Sequence, residues 1–342
     1  MAEVLYRKYR PQNFTEVIGQ EQVVEVLKGA IKSKNLSHAY LFAGSRGTGK
    51  TSIARIFADQ IGVTKNDLYE IDAASQTSVD DIRLLKEGVS SMPFESPYKV
   101  YILDEVHMLS KSAFNAFLKL LEEPPKHVIF ILATTELHKL PDTVISRCQV
   151  FQFKKPTQKA LRELVIEIAK KEGVSIKPAA ADLVALLGDG SFRDTLGMLQ
   201  KVMQGAGGKT VTAEDVEVIA GAPKHALVSN FLKAIVTKDI ELGLSTLNES
   251  NEANTDMAVF ATLLLQKLRA MLLLRFAPTM KKTVEEELSE VDAELLTTLA
   301  KDKRAVLTAD VLVAFLEATE RIRFSAIPSL PLELALIKIS NQ

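Results

Sequence analysis

Residues 39–51, Ala39-Tyr-Leu-Phe-Ala-Gly44-Ser-Arg-Gly47-Thr-Gly49-Lys50-Thr51, constrain the fold more than any other stretch of the chain. Tyr40 to Ala43 is a short apolar run that predicts a buried strand. It leads directly into G-x-x-x-x-G-K-T, and Ser52 to Ala58 then carries apolar residues at helical spacing. Strand, glycine-rich turn and helix in that order are the context a nucleotide phosphate loop requires. The glycines let backbone N–H groups turn toward phosphate oxygens, and the helix start adds its positive dipole end. Lys50 is then placed to reach the β- and γ-phosphates, and the Thr51 hydroxyl to ligate Mg²⁺. The expected nucleotide contacts are Gly44, Ser45, Arg46, Gly47, Thr48, Gly49, Lys50, Thr51 and Ser52.

Other strand ends point to the same place. Lys99-Val-Tyr-Ile-Leu103 predicts a strand that ends in Asp104-Glu105. A carboxylate directly after a buried strand sits at the carboxyl edge of the sheet, where open α/β sheets bind ligands. Asp104 can hold Mg²⁺ and Glu105 can polarise an attacking water. Leu68 to Ile71 predicts another strand, followed by Asp72-Ala-Ala-Ser75-Gln76-Thr77-Ser78 and a helix to about Ser90. Ser110 opens a helix that Pro124-Pro125 stops. His127 to Leu132 predicts a strand ending at Ala133-Thr134-Thr135-Glu136. A hydroxyl there suits a γ-phosphate or attacking water, and suits a cap equally well. Ser146-Arg147-Cys148 leads into a last strand, and Lys154-Lys155-Pro156 marks a boundary.

Beyond that boundary the pattern is helical, at roughly 157–172, 178–188, 191–204 and 212–219, with a Ser191 cap on the third. Arg193 in its first turn opposes the helix dipole, which suggests an anionic partner from outside. Pro223 opens a third block, all-helical and rich in apolar residues, which suggests helix–helix packing within or between chains. The organisation read from this is a nucleotide-binding domain over 1–155, a helical domain over 156–220 and a second helical domain over 222–342; 342 residues accommodate two or three domains.

Composition closes off several classes. The formal net charge is −1, so no global field advertises nucleic acid or membrane, and DNA contacts must be local. The single cysteine, Cys148, excludes a disulfide framework or a four-thiolate zinc site within one chain. That usage fits a reducing, cytoplasmic location. Residues 1–10 lack the apolar core of a signal peptide. The longest apolar helix candidate, Val259 to Phe276, contains Gln266, Lys267, Arg269 and Arg275, which argues for a buried amphipathic helix and against a membrane span.

The motifs in order are Tyr6-Arg-Lys-Tyr-Arg10-Pro11, His38-Ala-Tyr-Leu-Phe42, the phosphate loop, Asp104-Glu105-Val-His107-Met-Leu-Ser110, Leu120-Leu-Glu-Glu-Pro-Pro125, Ala133-Thr-Thr135, Ser146-Arg-Cys148 and Gly190-Ser-Phe-Arg-Asp194. Together they closely resemble the bacterial DNA polymerase III gamma/tau subunits, over about residues 3–205 strongly and over 222–342 more weakly. The resemblance implies an α/β P-loop ATPase domain of the AAA+ type with a parallel sheet, a small helical lid and an all-α oligomerisation collar. It implies that Tyr6, Arg10, Pro11, Val17 and Ile18 wrap the adenine and ribose. It further implies that Thr135 is a first sensor, Arg193 a second sensor, and Arg147 an arginine finger supplied to a neighbouring subunit. The implied work is that of an ATP-driven sliding-clamp loader. Such loaders form a pentameric ring with other loader subunits around primer–template DNA. Low-charge DNA contacts are expected at the helix starts around Ser75, Gln76, Thr77 and Lys111, where N–H groups suit phosphate.

Two departures stand out. The family commonly inserts a four-cysteine zinc module after the phosphate-loop helix. Here Ile61 to Asp67 crosses directly to the next strand, so no zinc is expected. The resemblance also implies that residues 222–342 are the collar, and no long tau-type extension is expected. Rival readings are a non-catalytic structural subunit of the same ring, a small subunit of the replication factor C type, and an AAA+ branch-migration helicase. Intact Lys50, Thr51, Asp104 and Glu105 weigh against the first. The differing acidic motif weighs against the second. The third is disfavoured by the long helical pattern over 222–342, with no strand pair.

Overall fold

Five short strands with residues of alternating destination build the first part of the molecule. In the computed structural model these are β1 (Ala39–Ala43), β2 (Leu68–Asp72), β3 (Lys99–Asp104), β4 (Val128–Thr134) and β5 (Gln149–Gln152). They form one parallel sheet in the order β2-β3-β4-β1-β5. The structure describes residues 3–75, 79–207, 210–281, 284, 288, 290–302 and 308–341. Two compact units emerge: Met1–Leu164 with Gly188–Gly197, and Val165–Leu187 with Met198–Gln342.

The sheet is covered on both faces, as a parallel sheet requires. Successive side chains point to opposite faces. Tyr40, Phe42, Val100, Ile102, Ile129 and Ile131 enter one core. There they meet Val24 and Leu27 of the helix Glu21–Ser33 and Ile53 and Phe57 of the helix Lys50–Gln60. Leu41, Tyr101, Leu103, Val128, Phe130 and Leu132 enter the other, against Leu85, Val89, Phe114, Phe117 and Leu121 of the helices Val79–Ser90 and Lys111–Glu122. The Ser110 hydroxyl caps the second of these by accepting the Ala113 N–H at 3.2 Å, and that helix ends before Pro124.

Parallel pairing brings the carboxyl ends of β1, β3 and β4 to one edge. The register pairs Ala43 with Thr134 and Leu103 with Leu132. β4 therefore stands between the phosphate loop and the acidic pair, and its end delivers Thr134 and Thr135 between them.

The amino edge of the sheet is held by two buried ions. Lys99 is 4% exposed and donates to the carbonyls of Gly88 and Ser91 at 3.0 and 3.2 Å, closing the end of the helix Val79–Ser90. Asp67 is fully buried and accepts the backbone N–H groups of Phe94, Glu95 and Ser96 at 2.6, 3.0 and 2.9 Å. Burial works to raise the Asp67 pKa. The three N–H donors and the Ser96 hydroxyl outweigh it and hold the carboxyl at about 2, below its ordinary 3.8. A depressed carboxyl stabilises the fold above its unfolded pKa, and that stability is lost as pH falls through the folded value. Acid titration of the fold is therefore expected to show a loss between about pH 4 and pH 2 that Asp67→Ala lacks. At neutral pH the variant is expected to be less stable by about 1.5–3 kcal/mol, measured by denaturant unfolding.

The second unit contains a two-residue parallel pair, Ser175–Ile176 beside Thr210–Val211, which the helical pattern does not reveal. A capping box between Thr212 and Asp215 starts the helix Ala213–Ala220. The helices His225–Thr237, Ile240–Glu252, Met257–Phe276, Glu290–Lys301, Ala309–Ile322 and Leu330–Ser340 follow. Among the described residues of 222–342 there is no strand. Phe231 packs edge-on against Phe260 and Phe315, with ring centroids 5.6 and 5.9 Å apart. Leu264, Leu268 and Leu336 complete the centre.

The helix Met257–Phe276 is long and apolar enough to cross a membrane by length and composition, yet it is the central core helix of this unit. It departs from the amphipathic expectation at Lys267, which is 6% exposed and so lies on the buried side. Its ammonium is ion-paired with Asp292, which His225 also contacts at 2.8 Å. A buried cation of this kind is tolerable because it is paired.

Candidate nucleotide site

The turn after β1 folds as its glycines require. Gly47 and Gly49 take φ values of 72° and 98°, a region that L side chains rarely adopt. A Cβ on Gly47 would lie 2.0 Å from the Ser191 hydroxyl, and the Gly47 carbonyl accepts the Phe192 N–H at 2.9 Å. Residues 188–197 of the same unit thus close directly on the loop. Gln20, buried, ties the loop from behind. Its amide donates to Lys154 O at 2.7 Å and its carbonyl accepts the Lys154 N–H at 3.2 Å, while the amide also reaches Thr48 O at 3.5 Å.

Lys50 is 6% exposed and donates to the carbonyls of Gly44 and Ser45 at 2.7 and 2.9 Å. Burial lowers its pKa, against the opposing pull of Glu105 and Asp104. The Thr51 hydroxyl donates to Asp104 Oδ2 at 2.8 Å, so the end of β3 and the start of the helix Lys50–Gln60 share one pair of hard oxygen donors. Asp104 Oδ1 accepts the Glu105 N–H at 3.0 Å. Glu105 itself adopts a left-handed conformation, φ 47° and ψ 44°. That is costly for a residue with a side chain and persists only where surroundings fix it. Its Oε2 accepts the Thr135 hydroxyl at 3.0 Å and the Thr135 N–H at 3.3 Å.

These residues border an open cleft of about 1040 Å³, part of it continuous with solvent. Arg46 to Ile53, Asp104 and Glu105 form its floor. Tyr6, Arg10, Pro11, Val17 and Ile18 line it, joined by Tyr9 and Glu16. Arg193 enters from the helix Phe192–Gly205, with Leu164, Phe192 and Leu196. The Arg193 guanidinium lies over the Tyr6 ring, 5.9 Å from its centroid. Cations are crowded here. The Arg10 pKa is lowered by burial first, then by Arg55, with Glu70 opposing, and further by Arg193 and Arg7. A cleft of clustered cations favours a polyanion.

Not every expected residue is in the cleft. Thr135 stands behind it, bonded to Glu105. Arg147 lies elsewhere on the surface, where it donates to Glu122 Oε1 at 2.8 Å and to the Thr143 carbonyl at 2.8 Å. Ser75 and Lys111 are exposed, and Gln76 and Thr77 lie outside the described residues. Three residues went unassigned in the sequence reading: Gln20, Glu122 and His107. Glu122 and His107 sit in motifs that were legible, but their partners are supplied by the fold. Among the described residues no group of three or more His, Cys, Asp or Glu is placed to hold a metal.

Comparison with known proteins follows this geometry. The family model for the DNA polymerase III delta subunit matches residues 19–70 and 63–157, and that for domain III of the DNA polymerase III gamma and tau subunits matches 211–342. DNA polymerase III subunit tau of Bacillus subtilis is 37% identical over 98% of this chain and 63% of its own length. The gamma/tau subunit of Mycoplasma genitalium is 40% identical over 74% of this chain and 46% of its own. The chain spans about half the length of the curated relatives it matches. Among solved structures, the RuvB Holliday junction branch migration motor of Thermotoga maritima superposes with a TM-score of 0.54 at 22% identity, covering 66% of this chain and 79% of that one. That likeness shows a shared fold, whereas the sequence relationship is more specific. By its matched domains and its relatives over nearly the whole chain, this protein belongs to the bacterial DNA polymerase III gamma/tau family.

Proposed function

We propose that this chain is an ATP-driven motor subunit of a sliding-clamp loader, binding and hydrolysing ATP to open the clamp and place it on primer–template DNA. The observation that carries the reading is the Thr51–Asp104 contact at 2.8 Å beneath an intact phosphate loop, with Glu105 beside it. A non-catalytic subunit has no need of that constellation. The phosphate loop and Lys50 take the β- and γ-phosphates, and Arg193 approaches the γ-phosphate from residues 188–197. Tyr6, Arg10, Pro11, Val17 and Ile18 hold the base and ribose. The hydroxyl and carboxylate of Thr51 and Asp104 are the oxygen donors that Mg²⁺ takes. When bound with the nucleotide, Mg²⁺ neutralises phosphate charge and orients the transferring group. Glu105 acts as general base toward the attacking water, with Thr135 fixing its carboxylate.

The reading extends to partners. Exposed Leu316, Phe324, Leu334 and Ile337 on and beside the last two helices support packing against other loader subunits. The domain limits 1–155, 156–220 and 222–342 serve here as motor, lid and collar. DNA contacts at Ser75, Gln76, Thr77 and Lys111 are backbone contacts, sequence-tolerant and weakened by salt.

Lys50→Ala tests the binding half of this reading. It removes a charge-assisted phosphate contact, and ATP affinity is expected to fall on the order of 10- to 100-fold in calorimetric titration. Unchanged affinity in a folded variant counts against the site.

A further inference from the structure

We infer that His107 is a positioning residue for Glu105, setting the direction of the base through the end of β4. The inference rests on the ATPase reading above. His107 follows Glu105 by two residues, in the short turn Val106–Met108, and its side chain is 6% exposed. The buried ring lies between two carboxylates. Its Nδ1 stands 3.0 Å from Thr134 Oγ1 and 3.5 Å from Glu105 Oε2. Its Nε2 stands 3.4 Å from Glu136 Oε1.

The elements of β4 that receive the ring are themselves fixed. Thr134 is fully buried, and its hydroxyl oxygen accepts the Glu136 N–H at 3.0 Å. Thr135, between them, donates twice to Glu105 Oε2. The same carboxylate oxygen is thus approached by the Thr135 hydroxyl, the Thr135 N–H and the His107 ring. One oxygen of the base is committed to the end of β4, which orients the other.

The backbone shows why orientation is needed. Glu105 is left-handed, so its own chain does not favour the conformation that aims its side chain. Contacts around it must over-determine that conformation. His107 supplies one from within the same turn and anchors it to Thr134 and Glu136. A ring that only filled space would have no use for polar partners at both nitrogens.

Positioning of this kind acts on turnover and not on nucleotide affinity, because Glu105 meets the water and not the ground-state phosphates. His107→Phe keeps the volume and loses both nitrogens. It is expected to lower kcat about 10-fold or more, as misplacement of a reacting group does, with KM for ATP unchanged. His107→Asn places an amide where Nδ1 stood, beside Thr134 and Glu105, and is expected to recover most of the loss. His107→Gln reaches toward the Nε2 position beside Glu136 and is expected to recover less.

The decisive comparison uses the full chain and five variants: His107→Phe, His107→Asn, His107→Gln, Glu105→Gln, and His107→Phe combined with Glu105→Gln. The expected result is that His107→Phe adds no further loss once Glu105 is replaced. Wild-type kcat in folded His107→Phe overturns the inference, as does the same fold-loss in the Glu105→Gln background. If His107→Phe does not fold, the contrast of His107→Asn with His107→Gln decides. A higher kcat for His107→Asn supports the inference and equal values overturn it. Loss of turnover in Glu105→Gln alone tests the ATPase reading separately, so failure of one is not failure of the other.

Discussion

Glu105→Gln is expected to bind ATP at near wild-type affinity and to hydrolyse it about 10²- to 10⁴-fold more slowly, the range a positioned general base contributes. The substitution is nearly isosteric. Glutamine keeps an oxygen able to accept from Thr135, so the left-handed turn at residue 105 retains its partner. It loses the negative charge that draws a proton from water. The groups proposed to meet the phosphates, Lys50 and the loop N–H groups, are untouched, and so is the Thr51–Asp104 pair. Binding and turnover should therefore separate. Calorimetry gives the first and phosphate release the second. Wild-type turnover in this variant removes Glu105 from the mechanism.

Arg147→Ala is expected to leave the single subunit folded and able to bind ATP, and to lower hydrolysis by assembled rings. The intrachain role of Arg147 is visible: an ion pair with Glu122, the two side chains 35% and 50% exposed, and a bond to the Thr143 carbonyl. An exposed pair of this kind contributes roughly 0–1 kcal/mol, too little for its loss to unfold the chain. Arg147 does not line the cleft of its own chain. If it acts as a finger, it acts on a neighbour, and loss of a finger costs on the order of 10³–10⁵ at a fully dependent site. Mixing tests this. Arg147→Ala subunits keep a working phosphate loop, and Lys50→Ala subunits keep the finger. Rings that contain both should regain partial activity at neighbouring pairs with one intact half from each. Mixed rings that form without regaining activity exclude action in trans.

The legible parts of this molecule are those set by local pattern. The phosphate loop, its flanking strand and helix, and Asp104-Glu105 at a strand end follow from short-range spacing, and the fold keeps them. The helices of 156–220 lie close to the expected limits for the same reason. What was hidden depends on pairing across the chain. Nothing local says that β4 lies between β1 and β3, and so nothing says that Thr135 bonds to Glu105. Asp67 reads as an unremarkable loop acid because its three N–H partners come 27–29 residues later. Lys267 reads as part of a polar face because its partner Asp292 lies on another helix. His107 stood inside a motif already singled out, yet its meaning comes from Thr134 and Glu136. Ser175–Ile176 and Thr210–Val211 are too short to show periodicity at all.

The most direct test of the central claim is ATP hydrolysis by this subunit assembled with the proposed loader partners, measured with and without primed DNA and the clamp. The account predicts hydrolysis that primed DNA and clamp together stimulate, and that Lys50→Ala in this subunit abolishes. Assemblies that load clamps at full rate while this subunit's Lys50→Ala form leaves hydrolysis unchanged would contradict it, and would make the chain a scaffold in a ring driven by others.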